Sequence, residues 1–285
     1  MSHRKMGMMS DQSKPQNTDN GHTLVPMDRY LKRYLQQAPA ALAIWRSIEA
    51  RHFGSVPMPR PILDIGSGFG EFGSAFFEEP CDVGLDISRK DLDISRDANI
   101  YRTLIQGDAR RLPFGDASFN TVMSVSVLEH IPDVLPFFDE AQRVLKPGGT
   151  LVFSVPLVDM DAYMVFPPLA RKVGLGAVAD GYVKRVHKSF KHINLHDPDW
   201  WLSAVREAGF TIEQERRIIS RAATRAFDIG LPTALLSHVG RLTHGRRAVW
   251  RPAPVVNAWA AVLRGLVERE ERPGDGSNLF VVARR

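Results

Sequence analysis

A chain of 285 residues with 44% hydrophobic and 24% charged residues can fill one large core, or a core with a sizeable insertion. Its single cysteine excludes an internal disulfide and a cysteine-rich zinc site, which fits a reducing cytoplasm. The formal charge is +5, and residues 211–285 carry 13 Arg and no Lys against 7 Asp and Glu, but no aromatic-rich basic stripe goes with them, which disfavours nucleic acid as a partner.

The first residues, MSHRKMGMMSDQSKPQNTDNGH, are polar and lack the apolar stretch of a secretory signal, so residues 1–25 are expected to be a disordered tail. No apolar stretch reaches the roughly 18–20 residues of a membrane span. Residues 28–51 have helical spacing at Tyr30, Leu31, Tyr34 and Leu35, and again at Ala41, Leu42, Trp45 and Ile48. Pro39 between the two sets predicts a break. After the link SVPMPRP, a strand at 62–65 runs into glycines, and a helix leaves from Glu71.

Strands then alternate with helices. Short apolar runs at 83–86 and up to Ile105 are followed by a buried strand at 121–127. An amphipathic helix at 134–145 is stopped by Lys146-Pro147-Gly148-Gly149, and the next strand is 150–155. Residues 156–195 hold no strong strand. Asp197-Pro198 starts a helix that stops at Gly209. Strands follow at 211–219 and 279–283, and residues 220–276 between them are too many for a simple loop. The expected fold is α/β: a doubly wound, mostly parallel seven-stranded sheet with helices on both faces and a helical insertion before the last strand. Cys81 is read as a core thiol beside a strand.

The strongest motif is ILDIGSGFGEF at 62–72. Gly66, Gly68 and Gly70 let the backbone turn tightly and lie against a ligand, and the N–H groups opening the next helix favour an electronegative group. A dinucleotide fingerprint needs G-x-G-x-x-G; here the third glycine comes one position early, which disfavours a nicotinamide dehydrogenase. Asp86 ends the second strand, where a carboxylate can accept hydrogen bonds from both hydroxyls of a ribose.

With GDARRLPFGDASFN at 107–120, VLEHIPD at 127–133 and RVLKPGGTLVFSVP at 143–156, the chain resembles class I S-adenosylmethionine-dependent methyltransferases, especially the branch that includes ubiquinone- and menaquinone-biosynthesis enzymes. The resemblance runs from about Pro61 to Pro156 and resumes more weakly over 196–210. It implies a methyltransferase domain at 26–285, with a lid-like segment at 157–195 and the insertion at 220–276. It also implies roles. Asp64, Gly66, Ser67, Gly68 and Gly70 would hold the methionine part of the cofactor, and Asp86 with Ile87 the ribose end. Asp108 and the backbone of Ala109 would meet the adenine. Ser126 and the segment Leu128-Glu129-His130 would line the site near the methyl group. Asn120 departs from the Asp common in the family, at a position that is usually structural.

The sulfonium cofactor is already activated, so a base is needed only if the methyl acceptor must lose a proton. His130 is the candidate base. His187, His192 and His196 lie in the segment that would cover the methyl acceptor; a metal is not expected. Lys184, Arg185, Lys188 and Lys191 could meet an anionic substrate or form a solvated face, and Tyr30 and Tyr34 could cap the cofactor or pack. The expected function is methyl transfer to a small-molecule or lipid-like acceptor by a cytoplasmic protein. Peripheral membrane contact is expected through 220–276, where apolar groups alternate with Arg241, Arg246, Arg247, Arg251 and Arg264; a helical cap on the domain is the plainer reading. The alternative function is a cofactor-binding scaffold or regulatory protein of the same fold without turnover.

Overall fold

The computed structural model describes residues 28–244, 252–267 and 274–285. The tail at 1–25 lies outside the described residues, as do Arg246, Arg247 and Arg251. Two helices open the chain, α1 (Asp28–Gln37) and α2 (Ala40–Gly54). Pro39 separates them as the N-cap residue of α2, because it has no N–H to continue α1. The alternating part follows: β1 (Ile62–Ile65), α3 (Glu71–Phe76), β2 (Cys81–Asp86), α4 (Arg89–Arg96), β3 (Tyr101–Gln106), β4 (Phe119–Val125), α5 (Leu135–Val144) and β5 (Leu145–Pro156). The segment after β5 forms α6 (Phe166–Lys172) and α7 (Gly176–Phe190). Then come α8 (Pro198–Glu207), β6 (Thr211–Ile218), α9 (Arg221–His244), α10 (Ala253–Val267) and β7 (Asn278–Arg284).

The seven strands form one sheet, as the alternation predicts, and its order is β3-β2-β1-β4-β5-β7-β6. The first five run parallel, and β7 is antiparallel to β5 and β6. The four residues of β1 are all buried, as expected of a central strand covered on both faces. Side chains alternate between two cores. Met123, Val125, Val152, Phe280 and Val282 face the core shared with α1, α2, α9 and α10. Leu63, Ile65, Val122, Leu151, Phe153, Val155 and Val281 face the core shared with α5 and α8. Cys81 is fully buried at the start of β2.

Three of the boundaries that differ from the sequence pattern have a visible backbone cause. β4 ends at Val125, not Val127, because Ser126 takes a left-handed φ of 50° and turns the chain off the sheet edge. The assigned strand β5 starts at Leu145, so Lys146-Pro147-Gly148-Gly149 forms an irregularity at the strand start instead of a separate turn; the pairing jumps from Phe119↔Leu145 to Thr121↔Thr150. β6 ends at Ile218, since Ile219 has φ 64°. The signals around α8 act as expected: the Asp197 carboxylate accepts from the Trp200 N–H at 2.8 Å, and Gly209 has φ 87°.

Residues 220–276 supply α9 and α10, which pack on the opening helices. Phe227, Leu231, Val256, Ala260 and Leu263 share one core with Tyr30, Leu31, Ala41 and Trp45. A Cβ on Gly230 would lie 2.8 Å from Cβ of Ala41, so glycine is what lets α9 approach α2 this closely.

Candidate active site

Between β1 and β4 the sheet order reverses direction, and in doubly wound sheets ligands bind there, beyond the carboxyl ends of the strands. The loop after β1 is the glycine turn and the loop after β4 holds Ser126, Leu128, Glu129 and His130. The two touch: a Cβ on Gly66 would fall 2.4 Å from a Val127 methyl.

Each glycine of the turn serves a different need. Gly66 (φ 74°) makes room for Val127, and Gly70 (φ 82°) makes room for Ile100 and Ser95 beneath the turn. Only Gly68 (φ 53°) opens upward, where a Cβ would meet nothing nearer than the Gly66 carbonyl at 3.9 Å and Asp86 Oδ2 at 4.0 Å. The Gly68 N–H donates to Asp86 Oδ2 and the Ser88 N–H to Asp86 Oδ1, both at 2.8 Å. Burial raises the Asp86 pKa, against the lowering effect of these backbone bonds. Ile87 beside it is 70% exposed, an apolar side chain with no protein covering it.

The other sequence-predicted residues take these places. Asp64 is buried under the turn, and its carboxylate accepts from the Tyr101 hydroxyl at 2.6 Å. Burial raises its pKa to about 7. Ser67 is buried and its hydroxyl has no partner among the described residues. Asp108 is held by Arg110, with Nη2–Oδ2 at 2.7 Å, and this bond lowers its pKa. Ala109 is buried beside it. Tyr30 and Tyr34 are buried in the core: Tyr30 stacks on Phe76, and the Tyr34 hydroxyl donates to the Phe72 carbonyl. They pack, and they do not cap the turn.

A pocket opens beside the loop after β4, with about 480 Å³ of empty space when its open mouth is included. Leu42 and Trp45 of α2, Met160, Phe190 of α7 and Phe227 of α9 form its apolar wall, with Trp45 and Phe227 ring centroids 4.8 Å apart. Ser126, Glu129, His130, His192 and Arg46 give it polar groups. This mixed lining suits a small organic ligand.

His130 is fixed in one orientation. Its Nδ1 lies 3.1 Å from the Lys191 carbonyl, so Nδ1 carries the hydrogen and Nε2 keeps its lone pair. Burial lowers its pKa, so the ring is neutral near pH 7. His192 stacks on His130 with centroids 5.6 Å apart, and burial lowers its pKa to about 3. His187 Nδ1 lies 3.1 Å from His192 Nδ1, while His196 stacks on Trp200 and does not line the pocket. Lys184, Arg185, Lys188 and Lys191 are exposed.

Sequence reasoning missed Arg46 and Glu49 of α2. Glu49 is fully buried and accepts from Ser126 Oγ (2.5 Å), Ser154 Oγ (3.0 Å) and Arg46 Nη1 (2.8 Å). The available signal was an acid four residues after Trp45, on a helix otherwise read as apolar on that face.

Comparison with known proteins bears on this geometry. A family model described as a methyltransferase domain matches residues 63–153. A demethylmenaquinone methyltransferase of Tropheryma whipplei (strain Twist) is 30% identical over 187 residues, covering 60% of this chain and 72% of that protein. This chain belongs to the class I S-adenosylmethionine-dependent methyltransferases. A second demethylmenaquinone methyltransferase, from Clavibacter sepedonicus, is 29% identical to this methyltransferase and covers 74% of the chain and 84% of its own length. The fold is shared with a solved structure from Thermotoga maritima described as a possible histamine N-methyltransferase. That structure has 16% identity and a TM-score of 0.53, and the match covers 86% of this chain and 90% of that one. The cofactor of the family is S-adenosylmethionine, and the open face of Gly68, the Asp86 carboxylate and the uncovered Ile87 fit it.

Proposed function

We propose that this methyltransferase methylates a small, ring-bearing or lipid-like acceptor carrying a hydroxyl group, bound in the pocket beside His130. The pocket itself carries the proposal: aromatic and aliphatic walls around an oriented imidazole with a free lone pair, next to the glycine turn. Gly66, Ser67, Gly68 and Asp86 would hold S-adenosylmethionine, with Ile87, Asp108 and Ala109 at its adenosine end and Asp64 supporting the turn from below. When bound, that cofactor supplies an electrophilic methyl group on a sulfonium. His130 Nε2 takes the hydroxyl proton, leaving an oxyanion that is nucleophilic at oxygen and at conjugated ring carbons. The walls exclude water and hold the ring in line. The name shared by the two bacterial relatives, demethylmenaquinone methyltransferase, supports a quinol-like ring among such acceptors.

Leu42→Trp tests this by filling the pocket from α2. Turnover should fall with every ring acceptor, with S-adenosylmethionine affinity unchanged. Turnover equal to wild type would place the methyl acceptor elsewhere.

We infer a peripheral contact with anionic lipid through residues 220–276 as the route for a lipid-like acceptor. The arginine surplus of 211–285 and exposed Val255, Trp259 and Val262 on α10 support it. Among the described residues no helix is long and apolar enough to cross a membrane. Sedimentation with anionic but not neutral vesicles is expected, lost on combining Arg246→Glu with Arg247→Glu; no sedimentation with either lipid would refute the contact.

A further inference from the structure

Two buried glutamates stand at the pocket, and they differ in one respect. Glu49 is saturated by two serine hydroxyls and a guanidinium. Glu129 is 1% exposed, and its Oε2 has no hydrogen-bond partner among the described residues. Its Oε1 lies 3.7 Å from His130 Nε2, the atom with the free lone pair. A buried carboxylate left in this state is strongly disfavoured, and such groups keep a proton or take a ligand.

We propose that Glu129 is a methyl-acceptor-binding residue, a carboxylic acid that donates a hydrogen bond to an oxygen on the acceptor ring beside His130. This rests on the ring-acceptor reading of the pocket and sharpens it. The acceptor carries at least one ring oxygen able to accept a hydrogen bond from Glu129 where His130 can reach it.

The surroundings favour the acid form. Glu49 and Arg46 act on Glu129 from α2, and His130 from its own loop, His192 from the segment after α7 and Ser126 from the end of β4 line the same pocket. His130 and His192 are neutral near pH 7, and Glu49 already holds Arg46. Burial, followed by the nearby Glu49, raises the Glu129 pKa to about 8. Below that pH Glu129 donates; above it the carboxylate only accepts and repels a ring oxygen.

The lid supports the loop that carries Glu129. The backbone N–H groups of Ile193 and Asn194 both donate to the Glu129 carbonyl, at 2.9 and 3.0 Å. The side chain is therefore presented from a loop held by the segment after α7.

The test uses 1,4-naphthoquinone, whose ring oxygens only accept, and naphthalene, which has none. Both are titrated calorimetrically into the full-length wild type, Glu129→Gln and Glu129→Ala. Wild type should bind the quinone at about pH 6 and roughly tenfold or more weakly at about pH 10. Glu129→Gln, whose amide still donates, should bind it at both pH values, and Glu129→Ala weakly at both. Naphthalene should bind all three alike. Infrared difference spectra of the unliganded wild type against Glu129→Gln should show a protonated carboxyl band at neutral pH, separate from that of Asp64, that disappears through about pH 8. Unchanged melting temperature and S-adenosylmethionine affinity in the variants exclude misfolding. Equal quinone binding by all three proteins, or no such band in wild type, would overturn the role of Glu129 alone. Failure of wild type to bind either ring compound would overturn the ring-acceptor reading, and this proposal with it.

Discussion

The backbone N–H of Gly68 donates to Oδ2 of Asp86 across 2.8 Å, so the turn after β1 and the acid that ends β2 form one unit. The carboxylate, held by two backbone N–H groups, shapes the turn. Asp86→Ala should therefore weaken S-adenosylmethionine binding by about 1.5–3 kcal/mol, roughly 10- to 150-fold in Kd. Gly68→Val should weaken it further, since a branched side chain enters the open space at a φ of 53°. Isothermal calorimetry on both variants reads this directly. Affinities equal to wild type would remove the site from this turn.

His130 should affect rate and leave cofactor affinity alone. Loss of a general base typically costs about 10²–10⁴ in rate, so His130→Ala should lose turnover on that scale. Because burial lowers the His130 pKa, the neutral base persists into acid, and the acidic limb of the kcat/KM profile should lie below the ordinary histidine value of 6.5. Wild-type turnover in a stable His130→Ala would reduce the residue to a structural one that braces the Lys191 carbonyl.

Asp64 makes stability depend on pH with a definite sign. Its folded pKa is raised from 3.8 to about 7, so the folded state binds more protons than the unfolded state between those values. The contribution is full below about pH 4, falls as pH rises to about 7, and is flat above. Glu129 acts with the same sign over a window from 4.5 to about 8. Asp108 and Glu140, whose pKa values are lowered, act in more acid solution. Asp64→Asn keeps an oxygen for the Tyr101 hydroxyl and removes the titration. Urea midpoints between about pH 5 and pH 8 should decline less steeply for Asp64→Asn than for wild type. Parallel profiles would contradict the raised pKa.

Asp228 of α9 joins the insertion to α6 and α7. Its Oδ2 accepts from the N–H groups of Val165 and Phe166 at 2.9 Å each, and its Oδ1 from the Tyr182 hydroxyl. Phe227, the adjacent residue, lines the pocket. Asp228→Ala leaves three donors without their partner and should destabilise the fold by roughly 1–3 kcal/mol. It should also raise the KM for the methyl acceptor, with S-adenosylmethionine affinity unchanged. Equal losses for cofactor and acceptor would show that Asp228 supports the whole sheet edge.

The parallel core was legible because its signals are local. Three of the four residues at 62–65 are apolar and the run is followed by three glycines, Asp197-Pro198 opens α8, and Gly209 closes it. The pocket was legible only in part. Ser126 turning β4 off the sheet at a left-handed φ has no side-chain signature, so the strand reads two residues too long. Glu49, which also holds Arg46, meets Ser126 and Ser154 about 80 and 100 positions away in sequence, a contact set by how α2 lies across the sheet. Gly70 reads as a ligand-facing glycine, yet it makes room for Ile100 and Ser95. Which face of a turn meets a ligand depends on what packs beneath it, and the glycine spacing carries no record of that.

The most direct test of the whole account is paired detection, by mass spectrometry, of S-adenosylhomocysteine and a methylated product after incubation with S-adenosylmethionine and a panel of hydroxylated aromatic acceptors, quinols included. The account predicts equimolar formation of both with at least one ring acceptor, loss of both in Gly68→Val, and loss of both in Leu42→Trp with cofactor affinity retained. A wild-type protein that binds the cofactor and the ring compounds but releases no S-adenosylhomocysteine with any of them would contradict it.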